Sequence, residues 1–405
     1  MTAATLFALA GLTLALALHP FTTYPLSLAL LRTLGARRRP GRRSASAAAL
    51  STTAPSFSLL VCAHNEEAVI LDKLRNLSAL LDRAPGAAAE ALIYVDGSSD
   101  RTAELARAWT DPRVRTVVSA ARTGKTVGLN RLVALAGGDI LVLSDANVTV
   151  EPEALGKLAA RFADPLVGLV CGQLRYVNGE VNVTARNGAA YWRLEETIRA
   201  LESDTGGAIG ADGSLYAVRR ELWPNVPDDL IDDFYVPMTV RFRGLEVIHA
   251  GEIVAFERTT ESGRDEFRRK VRIACQAFNV HRRLWPAVRK LPLLDRYKYV
   301  SHKLLKWLIG FHLLFAGGFT ALALGLIVDP ALVVAASLLG SLLVGLSTAW
   351  GHGPFATLGN AVLMFAAVSW GVVRSLQGER FVIWQPAGSV RAGRVPLMPP
   401  PGRTS

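Results

Sequence analysis

Cysteine is scarce in this sequence: Cys62, Cys171 and Cys275 stand far apart, and no Cys-x-x-Cys pair occurs. An odd count at that spacing excludes a disulfide scaffold. Charge is sparse as well, at 20% of residues against roughly 25% in soluble domains. No fixed period recurs, which excludes solenoid and collagen-like classes. Apolar residues are not lacking, at 50%, so intrinsic disorder is excluded too. What remains is an odd mixture. The mean hydropathy is positive, +0.27, yet 45 Lys+Arg outnumber 34 Asp+Glu and leave a formal net charge of +11. The 405 residues allow two or three domains at roughly 150 residues each. A globular domain with membrane segments and a basic nucleic-acid binder both fit these totals, and the distribution along the chain decides between them.

Residues 3–31 carry no Asp, Glu, Lys or Arg, only His19 and the prolines Pro20 and Pro25. At about 1.5 Å per residue the run can cross a hydrocarbon core of about 30 Å. A cleaved signal peptide would carry basic residues ahead of the run, and none precede it. Arg32, Arg37, Arg38, Arg39, Arg42 and Arg43 follow instead, so residues 1–35 read as an anchor with its N-terminus outside. Residues 36–54 then form a basic linker. A second apolar block holds three stretches of spanning length, 304–328, 331–350 and 356–373, within a membrane region over 301–376. Asp329-Pro330 and Gly351-His352-Gly353-Pro354 separate them, and Lys298, Lys303 and Lys306 mark a cytoplasmic start. Three crossings would put the basic tail, 377–405, outside. Either one stretch is re-entrant or interfacial, or the positive-inside rule fails here.

Between the blocks, residues 55–260 read as a soluble α/β domain. Strand-like runs at 58–63, 91–95, 113–118 and 139–143 alternate with helical patterns at 66–81, 101–109 and 126–136. Short buried strands, each followed by a helix, predict parallel βαβ units in a doubly wound sheet. Ligands of such sheets bind beyond the C-terminal strand ends. Polar chemistry follows three of these strands: His64-Asn65-Glu66-Glu67, Asp96-Gly97-Ser98-Ser99-Asp100 and Ser144-Asp145-Ala146-Asn147. Singly, each is a good helix cap or turn. Together they converge on one crevice, where clustered oxygen donors without a His/Cys set favour Mg²⁺ or Mn²⁺.

With these motifs the middle of the chain, about residues 55–300, resembles a family-2 glycosyltransferase of the GT-A fold. Its relatives in that resemblance are the membrane-bound synthases of cellulose, chitin, hyaluronan and poly-N-acetylglucosamine. The resemblance implies that His64, Asn65 and Glu66 help hold a nucleotide, that Asp96 contacts uracil, and that Lys125 in Gly124-Lys125-Thr126-Val127-Gly128-Leu129-Asn130 sits near the nucleotide. It implies a metal motif at Asp145-Ala146-Asn147, where an amide replaces the second carboxylate and predicts a weaker cation site. The loop holding Asp212 and Gly213, which leads to Arg219-Arg220, corresponds to the acceptor side. Asp233, in Ile231-Asp232-Asp233-Phe234, takes the place of the general base, with Asp232 beside it. The implied reaction is inverting transfer from a nucleotide-sugar, with a UDP-sugar as the expected donor, to a polysaccharide or lipid-linked hydroxyl. Its expected place is the cytoplasmic face of a cell (inner) membrane, in a multi-pass protein.

Residues 261–300 read as amphipathic interfacial helices. Phe267, Val271, Ala274 and Phe278 form one stripe, and Arg268, Arg269, Lys270, Arg272, Arg282 and Arg283 supply charge around it. No helix-turn-helix, zinc or RNA-recognition signature accompanies this charge, so no nucleic-acid partner is expected. Processive relatives carry Gln-x-x-Arg-Trp here. This chain has Arg269-Lys270-Val271-Arg272-Ile273, keeping only the Arg as Arg272, which makes single-sugar transfer as compatible as processive synthesis. Rival readings of single motifs fare less well. Gly124-Lys125-Thr126 followed by Asp145 mimics a phosphate loop, but Ser119 stands where its first glycine is required. A non-enzymatic scaffold on a degenerate transferase would account for Asn147 and Ile273, yet Asp96, Lys125, Asp145 and Asp233 are all kept. His249, alone in an apolar run, reads as structural rather than as a metal ligand.

Overall fold

The computed structural model describes residues 1–35, 54–86, 88–178, 183–258, 262–350 and 353–383. All of the expected linker except its last residue, and the tail beyond residue 383, lie outside the described residues. The chain divides into two units, one of residues 1–30, 179–194 and 260–380, the other of residues 31–178, 195–259 and 381–405.

The second unit is built on one eight-stranded sheet. Its strands are β1 (Phe57–Ala63), β2 (Ala89–Asp96), β3 (Val114–Ser119), β4 (Ile140–Ser144), β5 (Thr149–Val150), β6 (Val167–Tyr176), β7 (Leu215–Arg219) and β8 (Glu246–Glu257). The order is β3-β2-β1-β4-β7-β6-β8-β5. β1 pairs parallel with β2 and β4, and β2 with β3, as the βαβ pattern predicts. Every residue of β1 is buried, which is why its sequence is an unbroken apolar run rather than an alternating one. Beyond β4 the mainly parallel sheet becomes mixed. β7 runs antiparallel to β4 and β6, and β5 antiparallel to β8. That reversal matters for the site: Ser144 at the end of β4 pairs with Leu215 at the start of β7, so the Gly213 loop meets the Asp145 loop at one edge.

The helix expected from residue 66 begins later, at Ile70–Asp82. The backbone N–H groups of Glu66 and Glu67 are tied to Thr102 Oγ1 (2.8 Å) and Asp100 Oδ2 (3.0 Å), which draws this stretch into a loop. Leu74, Leu77, Leu80 and Leu81 face the sheet, and Lys73 and Asn76 are buried on the same face.

The first unit is helical. Ala3–Leu18 packs along Ile309–Gly325, and Gly263–Val288 packs along Gly353–Leu376. Gly371 lets the second pair approach closely: a Cβ there would lie 2.6 Å from Ala274 Cβ and 2.9 Å from Cys275 N. Ala274 and Phe278, expected to face a bilayer surface, are thus buried within protein. By length and composition, two described helices can cross a membrane, Ala3–Phe21 and Ala356–Leu376. The expected span over 304–328 is broken. Leu293–Trp307 and Ile309–Gly325 meet at 66°, just after a π-helical turn at Val300–Leu304 of the kind that bends helices. The 331–350 stretch forms the apolar helix Pro330–Trp350.

The helix Lys125–Leu135 lies against β2 through Gly128, where a Cβ would run into the Tyr94 ring and come within 3.0 Å of Cys62 Sγ. Gly128→Ala is expected to cost about 1–3 kcal/mol through overpacking. A lowered thermal midpoint of the purified protein checks this, and an unchanged midpoint contradicts it.

Candidate active site

The loops after β1, β2 and β4 lie side by side because those strands are parallel neighbours. Each loop then ties itself to the next. Asn65, the one described non-glycine residue with positive φ (51°), accepts from Ser99 N at 2.9 Å through Oδ1. Asn tolerates that left-handed conformation better than other side chains. His64 Nδ1 meets Asp96 O at 2.8 Å, which makes Nδ1 the donor and leaves Nε2 as acceptor for Arg122. Burial foremost, and then the Arg122 guanidinium, hold the His64 pKa below the usual histidine range against the pull of Asp96. The Glu66 side chain is buried, and its carbonyl accepts from Val69 and Ile70 at the helix start.

Asp96 is fully buried. Its Oδ1 accepts from Thr123 N (2.6 Å) and Thr123 Oγ1 (2.9 Å), and its Oδ2 from Gly124 N (2.9 Å). These bonds shape the loop that delivers Lys125. Gly124 precedes the helix at φ 99°, a conformation that suits glycine. Lys125 Nζ then reaches Asp145 Oδ1 at 2.7 Å. Burial disfavours the Lys125 ammonium, but Asp145, Asp232 and Asp233 outweigh it and raise its pKa. With side chains 30% and 38% exposed, the pair adds only about 0.2–1 kcal/mol of stability. Its consequence is where charge is placed.

Asp232 and Asp233 open the helix Asp232–Phe242. Tyr216 O–H donates to Asp232 Oδ2 at 2.7 Å. Asp233 packs on Gly213, where a Cβ would stand 2.9 Å from its Oδ2, and its carbonyl accepts from Ala211 N. Burial and then the Asp232 carboxylate raise the Asp233 pKa to about 7, against the pull of Lys125.

Asp212 points elsewhere. Its Oδ1 accepts from Ser214 N (3.0 Å) and Ser214 Oγ (2.7 Å), and its Oδ2 lies 3.9 Å from Arg199 NH1. Glu196 Oε2 and His249 Nε2 join this buried group at 3.0 Å. Burial pushes Glu196 up to about 7 and His249 down to about 4, so both are drawn toward their neutral forms. His249 is therefore part of a buried support behind the Asp212 loop. Arg269 and Arg272 belong to the helical unit, where Arg269 pairs with Glu266 (2.8 Å) and Arg272 donates to Gln276 Oε1 (3.2 Å).

Three supporting residues escaped the sequence reading. Arg122 meets His64, and Tyr216 bonds Asp232. Lys73 lies beneath the Asp145–Asn147 turn, with Nζ donating to Ser144 Oγ (2.8 Å) and Val148 O (2.9 Å). A lysine inside the Ile70–Leu74–Leu77 apolar stripe was the available signal. As candidate metal donors, the motif offers the Asp145 carboxylate and the Asn147 amide, both hard oxygens that fit Mg²⁺ or Mn²⁺. Among the described residues no group of three or more His, Cys, Asp or Glu forms a cage, so such a cation would share its shell with a ligand's phosphates.

Residues 58–223 match the family model described as glycosyl transferase family 2. A beta-monoglucosyldiacylglycerol synthase of Trichormus variabilis is 32% identical over 171 residues, covering 41% of this chain and 36% of that protein. An N-acetylglucosaminyltransferase of Sinorhizobium fredii is 26% identical over 261 residues, covering 60% of this chain and 62% of that one. This chain thus spans less than two thirds of either relative. A solved mannosyltransferase from Pyrobaculum calidifontis, in complex with GDP-Man and Mn²⁺, superposes with a TM-score of 0.64 at 20% identity. That likeness covers 92% of this chain and 99% of the other. The mixed, mostly parallel sheet around residues 58–223, the stretch that matches that family model, is the Rossmann-like GT-A fold.

Burial lowers the Lys73 pKa from 10.5 to about 7. Above that pH the folded amine is neutral while the unfolded chain still holds the proton, so folding gains stability as pH rises toward 10.5. Lys73→Met is expected to cost about 1–3 kcal/mol by stranding two acceptors. The wild-type advantage should widen between pH 7 and 9 in thermal unfolding; an advantage that narrows contradicts the assignment.

Proposed function

We propose that this chain is a membrane-bound inverting glycosyltransferase, moving a sugar from a nucleotide-sugar, specifically a UDP-sugar, to an acceptor hydroxyl. The observation that carries the reading is the charge arrangement at the carboxyl edge of the sheet. Lys125 stands against Asp145 and within the field of Asp232 and Asp233, and the Asp233 carboxyl is held near neutrality in its proton affinity. A general base works best with a pKa close to the operating pH.

In this proposal His64, Asn65, Glu66 and the Asp96-shaped loop receive the nucleotide, and Lys125 faces its phosphates. Asp233 takes the proton of the acceptor hydroxyl while that oxygen bonds to C1 of the sugar. The C1–O bond to the diphosphate breaks, and the nucleoside diphosphate leaves with the electron pair. Attack opposite the leaving group inverts C1. Asp145 and Asn147 would hold Mg²⁺ or Mn²⁺, which supplies positive charge to the departing diphosphate. The complex of the mannosyltransferase with Mn²⁺ and a nucleotide-sugar is consistent with that role. Asp232, fixed by Tyr216, keeps the Asp233 proton affinity high. Gly213 lets the Asp233 carboxylate pack against the loop backbone, and Asp212 acts by shaping that loop.

A lipid-linked acceptor at the cytoplasmic face of the inner membrane is favoured over a growing polysaccharide. Apolar helices of spanning length and the diacylglycerol-directed relatives support it, as does the loss of Gln and Trp around Arg272. Arg269 and Arg272 are assigned to the acceptor and diphosphate region on family position. The two apolar helices, with the bent pair as a third crossing, support a multi-pass arrangement.

Nucleoside diphosphate release from a panel of UDP-sugars, with membrane lipids as acceptors, tests the reading. Asp233→Asn is expected to slow transfer by about 10²–10⁴-fold. Wild-type kcat should rise with pH through about 7, as the Asp233 carboxyl loses its proton. Transfer by Asp233→Asn at the wild-type rate would falsify the assignment.

A further inference from the structure

The Asp145-Ala146-Asn147 turn leads directly into β5, and β5 pairs antiparallel with the end of β8, Thr149 with Phe256 and Val150 with Ala255. Continuing that register back along the turn sets Val148 opposite Glu257, one position from Asn147, and so brings Asn147 within side-chain reach of Glu257, 110 positions away in the chain. The side chains complete the approach: Asn147 Nδ2 donates to Glu257 Oε1 at 2.9 Å. Asn76 locks the pairing from below, with Nδ2 donating to Val150 O (2.7 Å) and Oδ1 accepting from Val150 N (2.9 Å).

An asparagine has two unlike ends. Only its oxygen can ligate a cation, and its NH₂ would repel one. A carboxylate accepts and does not donate when ionised, so it selects the NH₂ end of a facing amide. We infer that Glu257 is a positioning residue for the cation site: it holds the NH₂ of Asn147 so that the amide oxygen is the atom presented as ligand. This rests on the divalent-cation reading of Asp145 and Asn147 proposed above. It also gives the amide at 147 a reason. An aspartate there would set two carboxylates within hydrogen-bond distance, and their repulsion would turn the new ligand away from its place. The two positions are coupled.

The test uses the full chain in nanodiscs, with free Mn²⁺ followed by electron paramagnetic resonance in the presence of UDP or GDP. Thermal midpoints establish that each variant is folded. Glu257→Ala should weaken Mn²⁺ binding by about 10-fold, the usual scale for loss of an outer partner of a metal ligand. Asn147→Asp should bind no tighter than wild type despite its extra charge. Adding Glu257→Gln to Asn147→Asp should tighten binding by about 10-fold over Asn147→Asp alone, a rescue that a merely structural role would not produce. The inference is overturned if Glu257→Ala binds Mn²⁺ like wild type. It is equally overturned if Asn147→Asp tightens binding as much with Glu257 in place as it does when combined with Glu257→Gln. Should Glu257→Ala fail to fold, the comparison of Asn147→Asp with the double variant decides. Wild-type protein that binds no Mn²⁺ with either nucleotide overturns the cation reading and this inference together. Wild-type binding with the wrong variant pattern overturns only the role of Glu257.

Discussion

One ammonium governs the carboxyl edge of this sheet. Asp145, Asp232 and Asp233 bring three carboxylates to Lys125, and like charges at such range are destabilising unless a cation or a proton intervenes. Lys125 supplies the cation for Asp145 at 2.7 Å, and a raised proton affinity relieves Asp233. At an effective dielectric of about 20, two unit charges 4 Å apart interact by about 4 kcal/mol, far more than this half-exposed pair adds to folding. The arrangement therefore places charge for a ligand more than it stabilises the fold.

The edge holds its shape because its loops are tied to one another and not only to the strands. Asp96 closes on Thr123 and Gly124, Asn65 on Ser99, and Glu67 on Asp100 and Arg101. Below the motif turn, Lys73 and Asn76 reach up from one helix to Ser144, Val148 and Val150. Behind the Asp212 loop lies the buried group of Glu196, Arg199 and His249. Each tie brings ligand-facing atoms to fixed positions before any ligand arrives, which is how a polar site limits its reorganisation cost.

Much of this was legible in the sequence. Buried parallel strands leave unbroken apolar runs, and the acids of interest follow each run directly, so β1, β2 and β4 and their loops could be read in order. The Asp232–Asp233 pair and the Gly213 loop were readable from family position, not from spacing. What could not be read depends on long-range pairing. β5 is two residues long, and nothing in its sequence names β8 as its partner or Glu257 as the neighbour of Asn147. Tyr216 meets Asp232 only because β7 reverses direction. The apolar run over 304–328 looked continuous, since no proline marks the 66° bend at its start. The basic excess divides in the same way: its distribution was plain, but the burial of Ala274 and Phe278 against protein was not.

If Lys125 organises this edge for a nucleotide-sugar, removing its charge must cost transfer. The most direct measurement is nucleoside diphosphate release by the full chain in nanodiscs, comparing wild type with Lys125→Met across nucleotide-sugars and lipid acceptors. Acceptor-dependent release by wild type, reduced at least about 10²-fold in Lys125→Met while the fold is kept, is the predicted result. Release by Lys125→Met at the wild-type rate, or no release from any donor by wild type, would contradict it.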